Sequence, residues 1–130
     1  MPKKVIQTDK APKAVGAYSQ AVRHGGLVFT AGQLGLDPAT GKLVGADVES
    51  QARQALDNLE AVLRAAGLSL AHVLKSTVFL VDMGDFQKVN AIYAERVGVT
   101  NAPARSAVQV AGLPLGGLVE IEMIAGGDEE

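Results

Sequence analysis

The chain has 130 residues and a mass of 13.4 kDa, room for one domain of ordinary size built around a single core. With 48% hydrophobic and 20% charged residues and a mean hydropathy of +0.19, it is neither a disordered nor a low-complexity polymer. Twelve basic residues against fourteen acidic ones, a pI near 5.7, 4% aromatics and no Trp supply neither a footprint for phosphates nor a platform for unpaired bases, which argues against a dedicated nucleic-acid binder.

In chain order, the N-terminal Met-Pro-Lys-Lys-Val-Ile-Gln carries two positive charges without a secretory apolar stretch, and no run approaches the ~20 apolar residues of a membrane span. A cytoplasmic protein is expected. A weak extended run over Ser19–Arg23 leads through His24-Gly25-Gly26, a hairpin turn whose glycines accept positive φ, into a strand over Leu27–Ala31. Asp37-Pro38-Ala39-Thr40-Gly41 is turn chemistry. From Asp47 to Ala66, Val48, Ala52, Ala55, Leu56, Leu59, Val62, Leu63 and Ala66 recur at spacings of three and four, predicting a helix capped by Asp47 and stopped by Gly67. Arg53 with Asp57 and Glu60 with Arg64 are expected to pair on its solvent side. A strand over Val73–Val81 precedes a second helix, with Asp85 as cap, Phe86, Val89, Tyr93 and Val97 inward and Gly98 as stop. Strands over Arg105–Val110 and Leu118–Ala125 follow, joined by the loop Ala111–Gly117. Residues 126–130 are expected to form a solvated acidic tail.

Strand hairpin, helix, strand, helix, strand, strand predicts an α+β fold, a two-layer sandwich of a mixed sheet with both helices on one face, in one domain spanning residues 1–130. Val119, Ile121 and Met123 alternate with Glu120 and Glu122, so the apolar set faces the helices and the carboxylates face away. Arg105, Ala107 and Gln109 share one side of their strand, and Arg105 is expected to join the glutamates. Leu74, Val78 and Leu80 oppose Phe79 and Val81, so that strand is apolar on both sides, and burial of the second face by subunit association is expected.

The absence of Cys removes disulfides, thiolate nucleophiles and thiolate metal sites, and His24 and His72, far apart, do not make a metal site, so no metal is expected. No phosphate-binding glycine loop or serine nucleophile elbow occurs. The most suggestive chemistry is Pro103-Ala104-Arg105-Ser106 followed by Val119-Glu120-Ile121-Glu122. A guanidinium can grip a carboxylate with two parallel hydrogen bonds while a glutamate holds or deprotonates a water. The same two residues can equally be an ordinary Arg–Glu pair across adjacent strands. Gly16-Ala17-Tyr18-Ser19-Gln20 and Thr30-Ala31-Gly32-Gln33-Leu34-Gly35 place polar groups beside permissive glycines, as turns or as places where a ligand approaches the backbone. Asn90, on or beside the inner face of the second helix, is either tied to backbone or facing a polar cavity.

Taken together, these segments resemble the reactive intermediate deaminase (RidA, or YjgF) family over nearly the whole chain. The likeness runs through Ala14–Ala21, Thr30–Gln33, Asp37–Gly41, Gln51–Leu59, Ala65–Gly67, Thr77–Phe79, Asp85-Phe86, Val89-Asn90, Pro103–Ser106 and Val119–Met123. The Pro-Ala-Arg-Ser segment with the later Val-Glu-Ile-Glu is its most specific signature. The resemblance implies a chorismate-mutase-like fold, a homotrimer with sheets inward and three intersubunit clefts, and hydrolysis of 2-iminobutanoate, 2-iminopropanoate and the related enamines released by pyridoxal-phosphate dehydratases, giving 2-oxo acids and ammonia without a cofactor. It implies further that Arg105 holds the substrate carboxylate, that Glu120 positions the water, and that Tyr18, Gly32, Ala31, Asn90 and Ala107 lie at the cleft. Ala31 stands where many members carry Ser, and Ala107 where some carry Cys. Two other readings are a non-catalytic trimer that binds small carboxylic acids in the same cleft and, below it, the ribonuclease or translation-inhibitor role attached to some members.

Overall fold

The apolar stripe of the long helix organises the molecule. In a computed structural model, which describes residues 2–127, α1 (Val48–Ala65) lays Ala52, Ala55, Leu56, Leu59, Val62 and Leu63 fully buried against the sheet. Asp47 caps it: its carboxylate accepts the Ser50 backbone N–H at 2.8 Å and the Ser50 hydroxyl at 2.8 Å, which hold that carboxyl below its ordinary pKa. Gly67, at φ +80°, takes the left-handed position just past the end.

The sheet contains β1 (Lys4–Ile6), β2 (Ala21–His24), β3 (Leu27–Thr30), β4 (Gln33–Leu34), β5 (Val73–Leu80), β6 (Ala104–Gln109) and β7 (Val119–Gly126). Its order is β1-β2-β3-β7-β5-β6, with β4 also on β7; only β5 and β6 run parallel, joined by α2 (Phe86–Val97), so the sheet is mixed and the two helices cover one face, as expected. The β2–β3 turn is Gly25-Gly26, with His24 opposite Leu27. Between the β3 and β4 pairings, three residues of one strand face two of β7, a bulge that carries Ala31 and Gly32. The Thr30 hydroxyl repairs the broken ladder by accepting the Met123 backbone N–H at 3.0 Å.

Three buried amide side chains staple loops to this frame, and a fourth lies buried beside them. Asn58 donates to the Leu34 and Leu36 carbonyls, Gln51 joins the Gly45 carbonyl to the Leu118 N–H, Gln20 binds the segment Thr8–Pro12, and Gln33 lies buried on β4. Gly35 is required by close approach, since a Cβ there would lie 2.5 Å from the Gln51 backbone.

Several expectations need correction. Arg53 and Asp57 do not pair with each other; Arg53 reaches Glu95 at 3.7 Å and Asp57 binds Arg96 at 2.8 Å, because α2 presents opposite charges across the helix–helix seam. Glu60–Arg64 forms at 3.1 Å. Asp85 occupies the α2 N-cap without a side-chain hydrogen bond, and Asp82 caps the preceding short turn instead. A register shift between Val73 and Lys75 removes Leu74 from the inward set and leaves it half-exposed. No helix among the described residues is long and apolar enough to cross a membrane. Of the predicted acidic tail, Gly126 ends β7 and residues 128–130 lie outside the described residues.

Candidate functional site

The sequence-predicted residues gather in two places. On the face of the sheet away from the helices, Glu120 of β7 stands opposite Leu34 on one side and Phe79 on the other. Its carboxyl group rests on Gly32: a Cβ built there would lie 2.8 Å from both Cδ and Oε2, so only glycine leaves the carboxylate its seat. Tyr18, Ala31, Gly32 and Glu120 line one cavity of about 750 Å³ whose remaining wall is largely apolar. Partial burial, and secondarily the Glu122 carboxylate, push the Glu120 carboxyl above its ordinary pKa. No ion pair neutralises it among the described residues. A carboxylate in that state is a proton acceptor that readily gives the proton back.

Arg105 is elsewhere. In register it stands opposite Ser76, which is buried beneath the helices, so Arg105 leaves β6 on the helix face and not on the face of Glu120 and Glu122. The expectation that Arg105 joins the glutamates is overturned by this register, and so is the ordinary pair across adjacent strands, because β5 lies between β6 and β7. Arg105 Nη1 instead donates to Asn90 Oδ1 at 2.6 Å, and its Cζ lies 5.3 Å from the Phe86 ring centre and 5.0 Å from that of Tyr93. The Tyr93 hydroxyl is hydrogen-bonded to buried Ser76, which fixes the ring under the guanidinium. Asn90 is thus tied to a side chain and not to backbone, and it lines a cavity of about 380 Å³ of mixed character, with Gly98, Val99, Pro103 and Arg105. The only hydrogen bond from the guanidinium among the described residues is the one to Asn90, so most of its five N–H donors remain for a ligand. Ala107 is partly buried against the core and lines neither cavity.

The aromatic shelf under Arg105 was not assigned from the sequence, though its signal is there: Phe86, Asn90 and Tyr93 at i, i+4 and i+7 form one helical stripe. Val15 and Leu115, on the wall of the Glu120 cavity, carried no pattern that would have singled them out.

A small α+β sandwich with an arginine fork on an aromatic shelf and a proton-accepting carboxylate on a separate face is equipped to bind small acids and to do proton-transfer chemistry on them. The chain belongs to the RidA/YjgF/RutC family: the family model described as Endoribonuclease L-PSP matches residues 8–126. It is 50% identical over 123 residues to the 2-iminobutanoate/2-iminopropanoate deaminase of Rattus norvegicus, covering 95% of this chain and 89% of that protein. Its structure superposes on RidA from the Antarctic bacterium Psychrobacter sp. with a TM-score of 0.91 at 48% identity, over 95% of this chain and 99% of the other. The match to Escherichia coli TdcF with bound serine has a TM-score of 0.90 at 45% identity, over 96% and 99% of the two chains.

Proposed function

We propose that the protein hydrolyses 2-imino acids, 2-iminobutanoate and 2-iminopropanoate among them, in a cleft assembled between copies of the chain in a homotrimer. The overall reaction is R–C(=NH)–COO⁻ + H2O → R–CO–COO⁻ + NH3. The carrying observation is that Arg105 and Glu120 leave the sheet on opposite faces, so that one chain offers two complementary half-sites and no whole one. The identity to deaminases over nearly the full chain supports the chemistry, and bound serine in TdcF supports a site that accepts an amino-acid-sized carboxylate.

In this reading Arg105 of one copy grips the substrate carboxylate with N–H groups not used by Asn90, while Phe86 and Tyr93 hold the guanidinium plane. Glu120 of the next copy, beside Tyr18 and Gly32, takes a proton from water as the C–O bond forms at the protonated imine carbon. It returns that proton to nitrogen; the C–N bond then breaks and ammonia leaves, while the hydroxyl proton passes back to Glu120 or to solvent as the carbonyl closes, replacing the proton taken up by the imine. The raised pKa of Glu120 suits both transfers. Holding the acid and the water together supplies much of the rate enhancement, and no redox step is involved. The Ala31 cavity wall and the Ala107 backbone are the remaining candidate contacts.

The test is semicarbazide trapping of 2-iminobutanoate made by a threonine dehydratase. Wild type is expected to divert flux from the trapped imine to 2-oxobutanoate. Arg105→Ala should lose about 100-fold or more in kcat/KM, two charge-assisted hydrogen bonds being worth ~1.5–3 kcal/mol each. Arg105→Lys should fail as well, because an ammonium cannot reproduce the fork. Arg105→Ala and Glu120→Gln, each inactive alone, should regain about a quarter of wild-type activity when co-refolded in equal amounts, since random trimers restore that share of mixed interfaces. Absence of turnover by wild type overturns the deaminase reading; absence of complementation overturns the shared cleft.

A further inference from the structure

Two of the most exposed large apolar side chains in the molecule, Val15 at 82% and Leu115 at 68%, line the same cavity as Glu120. Leu115 has a second peculiarity. Its backbone sits at φ 60°, ψ 19°, in the left-handed region that an L-residue with a branched side chain rarely adopts. The loop that holds it there is closed on itself and anchored just after Leu115. Gly117 donates to the Pro114 carbonyl at 3.0 Å and packs so tightly on Leu34 that a Cβ would lie 2.7 Å from Leu34 Cδ2, and the Leu118 N–H is taken by buried Gln51 at 2.8 Å. A conformation of this kind persists only where the surroundings impose it, and it is found at ligand clamps more than elsewhere. Its effect here is to place an apolar side chain at the cavity that holds the Glu120 carboxylate, on a wall that includes Leu36, Pro38 and Pro114 beside the polar Lys13, Gln33 and Thr40.

We infer that Leu115, with Val15, determines substrate side-chain specificity, and that the cavity selects 2-imino acids with a branched aliphatic side chain over the smallest ones. The inference rests on the deaminase reading and deepens it. With the carboxylate on Arg105 and the imine carbon at Glu120, the side chain extends along the Val15–Leu36–Leu115 wall, where removing its apolar surface from water provides the discrimination.

The experiment compares imino acids generated from alanine and from leucine by an L-amino-acid oxidase with catalase, with semicarbazide as the trap. Wild type should show the higher kcat/KM on the leucine-derived imine. Leu115→Asn keeps a residue that tolerates the left-handed backbone, and should lower the leucine-to-alanine ratio about tenfold, mainly through KM for the larger substrate. Leu115→Met should restore most of the ratio. Val15→Asn should lower it in the same direction and serves as the second variant if Leu115→Asn does not fold. Val44→Asn, at an exposed apolar residue that does not line the cavity, should not move it. A preference of wild type for the alanine-derived imine, or an unchanged ratio in the folded cavity variants, overturns the inference while leaving the deaminase reading intact. Failure to consume either imine overturns both.

Discussion

Glu120 keeps its proton to higher pH than an ordinary glutamate, and the sign of that shift sets a stability prediction as well as a catalytic one. A carboxyl group whose folded pKa lies above its unfolded value binds more protons in the native state, so its contribution to stability is greatest in acid and falls as pH rises from about 4.5 through the raised value. Glu120→Gln should abolish turnover while making the fold more stable than wild type at pH 7, an advantage that shrinks as pH falls through the raised value to about 4.5; denaturant unfolding across pH 4–7 checks it. Gly32→Ala should push the carboxylate off its seat and lower kcat with the fold retained, which circular dichroism alongside the trapping assay would separate. The residue types of this site were legible in the sequence, because a guanidinium before Ser106 and alternating glutamates on the last strand are local patterns. Their separation was not. Which face Arg105 takes depends on its register with Ser76 on β5, a pairing 29 positions away that no alternation within β6 can reveal.

Between the helices, Arg96 bridges Asp57 at 2.8 Å and Glu60 at 3.0 Å, tying α2 to the middle of α1. Because these groups are partly exposed, Arg96→Met should cost only about 1 kcal/mol, a drop of roughly 3–5 °C in Tm that 1 M salt largely removes. Both helices were legible because an apolar stripe, a cap and a terminal glycine are written within twenty residues. The partners of Arg53 and Asp57 were not, since helix spacing permits an i, i+4 pair but cannot show that α2 offers Glu95 and Arg96 to the same charges. Strands β1 and β4 escaped for a related reason. With three and two residues they exist only as additions to β2 and β7, and their sequences Lys-Val-Ile and Gln-Leu contain too little alternation to declare themselves.

At the scale of the whole molecule, the uncovered sheet face carries Val5, Phe29 and Val108 exposed around Lys75, Thr77 and Glu122, a mixture suited to association more than to either solvent or a dry core. Sedimentation at micromolar concentration should give a species of three times the 13.4 kDa chain, and a monomer would contradict the shared cleft. The topology has a further result for how the chain reaches its native state. Strand β7 is the last in sequence, yet it lies inside the sheet, hydrogen-bonded to β3, β4 and β5. Until residues 119–126 have left the ribosome, the β1–β2–β3 hairpin assembly and the β5–α2–β6 unit have no strand between them, and the Ile121 and Met123 side chains that complete the core are missing. Folding must then wait for that long-range closure, slow for a domain of this length, and a nascent chain stalled before Val119 should be open to protease throughout.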